Sequence, residues 1–215
     1  METKNAKDNF SLALGLFDYI NPIFYTITSI TIIKNIGKFM STPLFVIYII
    51  GAIISIIFGL TIPSVKAMVG LGKMKFKMPV NLVFYVNSGI FISGLALSNY
   101  VLNLPVIITL IIIVMVFALL AFIYSRKKKF NTIAVLIGMA GYIMIYCSLI
   151  SIAISNNNFV SIIMYAVAIC LFVFLGCIGI FANLKDARVH WIIEISNVLC
   201  QGLVAFSTLI LFTLL

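Results

Sequence analysis

Charge is what this chain has least of: 9% of its 215 residues are Asp, Glu, Lys or Arg, against about 25% in an average soluble domain. Only five are acidic, Glu2, Asp8, Asp18, Asp186 and Glu194. With 64% of residues apolar and a mean hydropathy of +1.27, the chain has too little polar surface to cover a water-soluble fold. The shortage of acid leaves a net charge of +9, which in a soluble protein would point to nucleic acid. Here the Lys and Arg residues sit in short connections, where their preference for the cytoplasmic side accounts for them, so nucleic acid is excluded as a partner.

Metal-binding side chains are scarce as well. His190 is the one histidine, and Cys147, Cys170, Cys177 and Cys200 all fall inside apolar stretches, where they read as small packing residues. Zinc spacing is absent, so no metal and no cofactor is expected. There is no G-x-S-x-G, H-E-x-x-H or aspartate-rich motif, and an intramembrane lipid-modifying enzyme would have to work with Asp18, Glu194 and His190. His190 and Glu194 stand one turn apart, as an acid–base pair would, but a plain helix-end pair has the same spacing. The last span has no lysine in its hydrocarbon stretch, which disfavours a retinal Schiff base.

What fills the chain instead is seven apolar stretches, near residues 10–33, 43–66, 79–102, 105–125, 131–154, 159–183 and 191–215. Each is about long enough to cross a bilayer. The expectation is a single all-α integral membrane domain over residues 1–215, a bundle of about seven transmembrane helices in the cell membrane, with short connections and antiparallel neighbours in sequence. Lys66, Lys73, Lys75 and Lys77 crowd the second connection, Arg126 to Lys129 the fourth, and Lys185 with Arg188 the sixth. The third, Asn103 to Pro105, and the fifth, Ser155 to Asn158, carry no charge. The alternation places the amino terminus in the cytoplasm and the carboxyl terminus outside.

Lys34 and Lys38 break that scheme, because they fall on the outer side. The span before them also holds Asp18 and the breaker pair Asn21-Pro22, features of a kinked crossing, a re-entrant segment or an interfacial helix. A signal peptide fits poorly: Glu2 and Asp8 offset Lys4 and Lys7, and no A-x-A site follows. The segment is read as a kinked crossing. Pro22 withdraws one backbone donor beside Asp18 and frees a carbonyl, a ligand for a cation or proton donor.

Polar side chains at helical spacing mark the face of a span turned away from lipid. In the last span His190, Glu194, Asn197, Gln201 and Thr208 form one stripe, and in the first Asp18, Asn21, Tyr25 and Thr28 form another. The third span supplies Asn81, Asn87, Ser88, Ser98 and Asn99, which puts it in the middle of the bundle. At about 1.5 Å of rise per residue, Asp18 and Asn87 lie at similar depth, roughly 12 Å in, with Asn197 and Gln201 bracketing that level and Glu194 shallower, at the mouth. The candidate solute-binding set is therefore Asp18, Asn21, Tyr25, Asn87, Ser88, Glu194, Asn197 and Gln201.

Each of these residues also has a plainer role. Neutral polar residues in spans often only hydrogen-bond adjacent helices, at about 0.6–2 kcal/mol each. Glu194 is close enough to its helix end to snorkel to water or to pair with His190, Lys185 or Arg188. Asp18 is harder to explain away, since a carboxylate in hydrocarbon costs roughly 2.5–3.5 kcal/mol even on lenient scales.

The remaining spans read as scaffold. The fourth, apolar apart from Thr109, belongs at the lipid-facing edge. Ala134, Gly138, Gly141 and Ser148 in the fifth, and Gly89, Ser93 and Ala96 in the third, permit close helix approach. Three helices, an apolar linker and three more resemble, in layout alone, transporters built from two parallel three-helix repeats. The functional expectation is a transporter or channel in which helices one, three and seven bind a small polar or cationic solute. The alternative is a non-transporting subunit or sensor with a membrane or cytoplasmic protein partner, and its partners otherwise are bilayer lipids, including anionic heads at the basic connections.

Overall fold

A computed structural model describes residues 11–72, 80–125, 130–181 and 187–213. Lys73, Lys75, Lys77, Arg126 to Lys129 and Lys185, on which the orientation rests, lie outside them, as do the side chains of Asn81, Ala134 and Cys177. Among the described residues there is no strand. The helices are α1 (Leu12–Phe17), α2 (Ile20–Asn35), α3 (Thr42–Gly70), α4 (Val80–Leu102), α5 (Val106–Ser125), α6 (Phe130–Ser155), α7 (Phe159–Phe181) and α8 (Ala187–Thr213).

Five stretches are long and apolar enough to cross a membrane: Leu12–Asn35, Thr42–Gly70, Leu82–Leu102, Val135–Ser155 and Arg188–Thr213. Two further apolar helices, Val106–Leu120 and Phe159–Leu175, are shorter over the described residues. Ile, Val, Leu and Phe stand exposed around the bundle, among them Ile50, Ile57, Val114, Ile163 and Phe206. Water would not tolerate that belt, whereas lipid suits it, and the molecule is a helical membrane-embedded protein.

The first of these stretches is helical with one break. Ser11 caps α1 by accepting the Leu14 N–H at 3.1 Å. The helix is interrupted at Asp18–Tyr19 and resumes as α2. Pro22 is the cause, because it cannot donate to the Asp18 carbonyl. That carbonyl is not left free as the sequence implies: the Asn21 N–H reaches it at 3.3 Å.

Six helices close into a ring, in the spatial order α2, α3, α4, α6, α7, α8 and back to α2. Exchanging the first three ring helices with the last three maps every neighbouring pair of the ring onto another: α2–α8 onto α6–α4, α3–α4 onto α7–α8, and α2–α3 onto α6–α7. Helix α5 makes its main contacts with α4 and α6, outside the ring, as a helix apolar but for Thr109 should. Helix α4 sits between α3 and α6, the central place expected of it.

Small residues set the tightest contacts. A Cβ on Gly51 would lie 2.6 Å from the Ser93 nitrogen, and one on Gly141 2.6 Å from the Phe91 Cα. Backbones of α3, α4 and α6 therefore touch directly, as the stripes of small residues predict. At the end opposite Lys66, the α4–α5 and α6–α7 turns use Asn103 and Asn157 at φ 51° and 52°, a left-handed conformation that asparagine tolerates.

Candidate functional site

Helix α1 lies antiparallel against the far end of α3. A Cβ on Gly15 would come 2.6 Å from the Ala67 nitrogen, so only glycine lets the two backbones approach this closely. One turn later Asp18 comes beside Lys66, whose Nζ donates to Asp18 Oδ2 at 2.7 Å and to Glu194 Oε1 at 2.6 Å. Asn21 Nδ2 donates to Asp18 Oδ1 at 3.0 Å and to Glu194 Oε2 at 3.3 Å. Every carboxylate oxygen of the cluster has a donor. Asp18, Lys66 and Glu194 are each no more than 9% exposed, so the charges are held largely out of water, where removal of a partner is costly.

The cluster contains two carboxylates and one ammonium, an imbalance of one charge. Asn21 also has a fixed orientation, because an amide between two carboxylates must turn its NH2 toward them. Its Oδ1 is buried without a hydrogen-bond partner.

That residue borders a cavity of about 130 Å³ inside the ring. Asp18, Asn21 and Tyr25 line it from the first span, Ser55 and Gly59 from α3, Val86 and Ile90 from α4, Tyr142 from α6 and Asn197 from α8. At ~30 Å³ each, about four waters would fill it. Pro63 lies four residues beyond Gly59 and withholds the N–H that the Gly59 carbonyl would accept. Both prolines inside the crossings thus stand four residues after a cavity-lining residue, Asp18 before Pro22 and Gly59 before Pro63.

The deep end of the cavity is closed by Tyr25. Ser93 Oγ donates to the Ile90 carbonyl at 3.0 Å, so the Tyr25 hydroxyl donates to Ser93 Oγ at 2.8 Å. Beyond it Ser93, Ala96 and Leu97 are fully buried. A second cavity of about 830 Å³ opens at the other end of the ring, between the turn at Gly37–Phe39, the α4–α5 turn and the end of α6. Its lining includes Asn99, Tyr100, Ser151 and Ser155, with no Asp, Glu, Lys or Arg. Asn99 Nδ2 donates to Thr109 Oγ1 at 2.6 Å and to the Pro105 carbonyl at 3.3 Å, leaving Oδ1 unpartnered.

The expected site residues divide. Asp18, Asn21, Tyr25 and Asn197 line the inner cavity. Glu194 joins Asp18 through Lys66 and Asn21 and is not among the residues that line the inner cavity, where the sequence reading had it at the mouth. Gln201 Nε2 donates to Tyr146 OH at 3.3 Å, tying α8 to α6, and Asn87 packs on Gly138 of α6. Ser88 is buried, its hydroxyl unpartnered, away from the cavity lining.

Lys66 is the member of the charge cluster that the sequence reading placed in a connection. It lies inside α3, with Ala67, Met68, Val69 and Gly70 continuing the helix beyond it. That apolar continuation was the available signal. Among the described residues no three His, Cys, Asp or Glu side chains converge as metal ligands. No family model, curated protein or solved structure matches the chain.

Proposed function

We propose that this protein is a transporter of a small cationic solute, binding it in the inner cavity against Asp18, Asn21 and Asn197. The observation that carries the reading is the buried carboxylate pair next to a cavity that Asp18 and Asn21 line, with the Asn21 Oδ1 acceptor unpartnered close by. A site with surplus negative charge and an unused acceptor calls for a positively charged donor. The two cavities at opposite ends, separated by the Tyr25–Ser93 closure, supply the two approaches that alternating access needs. In this reading the chain crosses the cell membrane seven times, with the amino terminus and the Lys66 end on the cytoplasmic side and the carboxyl terminus outside.

A screen of melting temperature in detergent against ions, amines, sugars and vitamins identifies the solute, and uptake into proteoliposomes tests its transport. Asp18→Asn should abolish uptake while leaving expression intact, and unchanged flux in that variant refutes the reading. The alternative, a non-transporting membrane subunit, draws support from the filled remainder of the ring, where Gln201, Thr208 and Ser161 are all used in helix–helix bonds. It predicts no thermal shift with any small solute and a partner protein that co-purifies in mild detergent.

A further inference from the structure

We propose that Lys66 is a tethered stand-in for the solute, and that the solute is a primary ammonium ion of about four or five non-hydrogen atoms, sized at roughly 30 Å³ per atom. The inference rests on the transport site proposed above and names its substrate class. Lys66 presents a primary ammonium to Asp18 and Glu194 at 2.7 and 2.6 Å, so the cluster already displays how it grips such a group.

The cavity reaches Asp18 and Asn21, and neither Lys66 nor Glu194 lines it. An incoming ammonium therefore meets Asp18 from the cavity side, where a carboxylate accepts and does not donate. The rings of Tyr25 and Tyr142, 6.4 Å apart and nearly perpendicular, flank the same space. Their faces suit a cation with a short alkyl body. A quaternary ammonium has no N–H to replace those that Lys66 gives the carboxylates.

The displaced Lys66 has somewhere to go. It sits four residues before the end of α3 at Gly70, about 6 Å from that end at 1.5 Å per residue. Its long side chain can swing to the aqueous boundary. Binding and release of the solute then exchange one ammonium for another beside Asp18, with no change in the local charge count.

The test is binding of propylammonium chloride to the full chain in detergent, with tetramethylammonium chloride at equal ionic strength as the control. Propylammonium should raise the melting temperature of the unsubstituted protein and tetramethylammonium should not. Lys66→Gln removes the competitor and should bind propylammonium at least tenfold more tightly. Lys66→Arg keeps the charge and the fold while bridging both carboxylates with a fork of donors that is harder to displace, and should bind at least threefold more weakly. Equal shifts from the two salts, or affinity unmoved in Lys66→Arg, overturn the proposal even if Lys66→Gln does not fold. Selective binding without flux in proteoliposomes defeats the transport reading alone; flux of a solute indifferent to Lys66 defeats this inference alone.

Discussion

The ring has two seams where its halves meet, α2 against α8 and α4 against α6, and they are built on opposite principles. The α4–α6 seam is backbone on backbone, with Gly141 against Phe91 and Gly94 against Gly141. The α2–α8 seam is held by an amide and a carboxylate, Asn21 to Glu194, and by the Phe24 and Phe206 rings 6.0 Å apart. Close backbone contact has one good geometry and resists sliding, whereas a charge cluster can exchange partners. If one seam opens during transport and the other acts as the pivot, α2–α8 opens.

Breaking the charged seam at one point should produce the largest effect. Lys66→Met leaves two facing carboxylates without their cation and should lose about 3–5 kcal/mol, read as a fall in thermal stability in detergent. Replacing the whole set, Asp18→Leu with Lys66→Met and Glu194→Leu, should recover most of that loss, because the charges are then absent and not merely unpaired. Uptake should stay abolished in the triple variant. A triple variant no more stable than Lys66→Met would show that the cluster is structural in a way that charge pairing does not explain.

The glycine seam should respond next. Gly141→Val would drive a branched side chain into the Phe91 backbone and cost about 1–3 kcal/mol, with binding affinity in the surviving folded fraction unchanged. Smaller still is Tyr165→Phe, which removes the 3.0 Å bond to Thr208 that joins α7 to α8 and should cost about 0.6 kcal/mol. Val114→Ala, on the exposed face of α5, should stay within about 0.5 kcal/mol. A loss there as large as at Gly141 would mean that α5 is covered by another molecule.

The helical membrane class, the outlying α5 and the glycine contacts were legible because each depends on composition or spacing alone. So was the inward face of the first span, where Asp18, Asn21 and Tyr25 share a stripe and all reach the cavity. Lys66 was not, because a lysine near the end of an apolar run looks like a loop residue until a partner on another helix is seen. Glu194 misled for the same reason: helical periodicity says which side of α8 faces inward, but not that α1 and α3 bring an acid, an amide and an ammonium to meet it. The polar stripe of α8 accordingly splits three ways, Glu194 to the charge cluster, Asn197 to the cavity, and Gln201 and Thr208 to neighbouring helices.

Helix α5 is where covalent order and spatial order part company. The ring needs α4 and α6 side by side and pointing the same way, and a continuous chain can arrange that only by sending one segment back across. That return thread contributes little surface of its own. A gene divided within it would yield two polypeptides, each holding half of the ring, with the interlocking glycines of α4 and α6 as the dock on which the fragments could reunite.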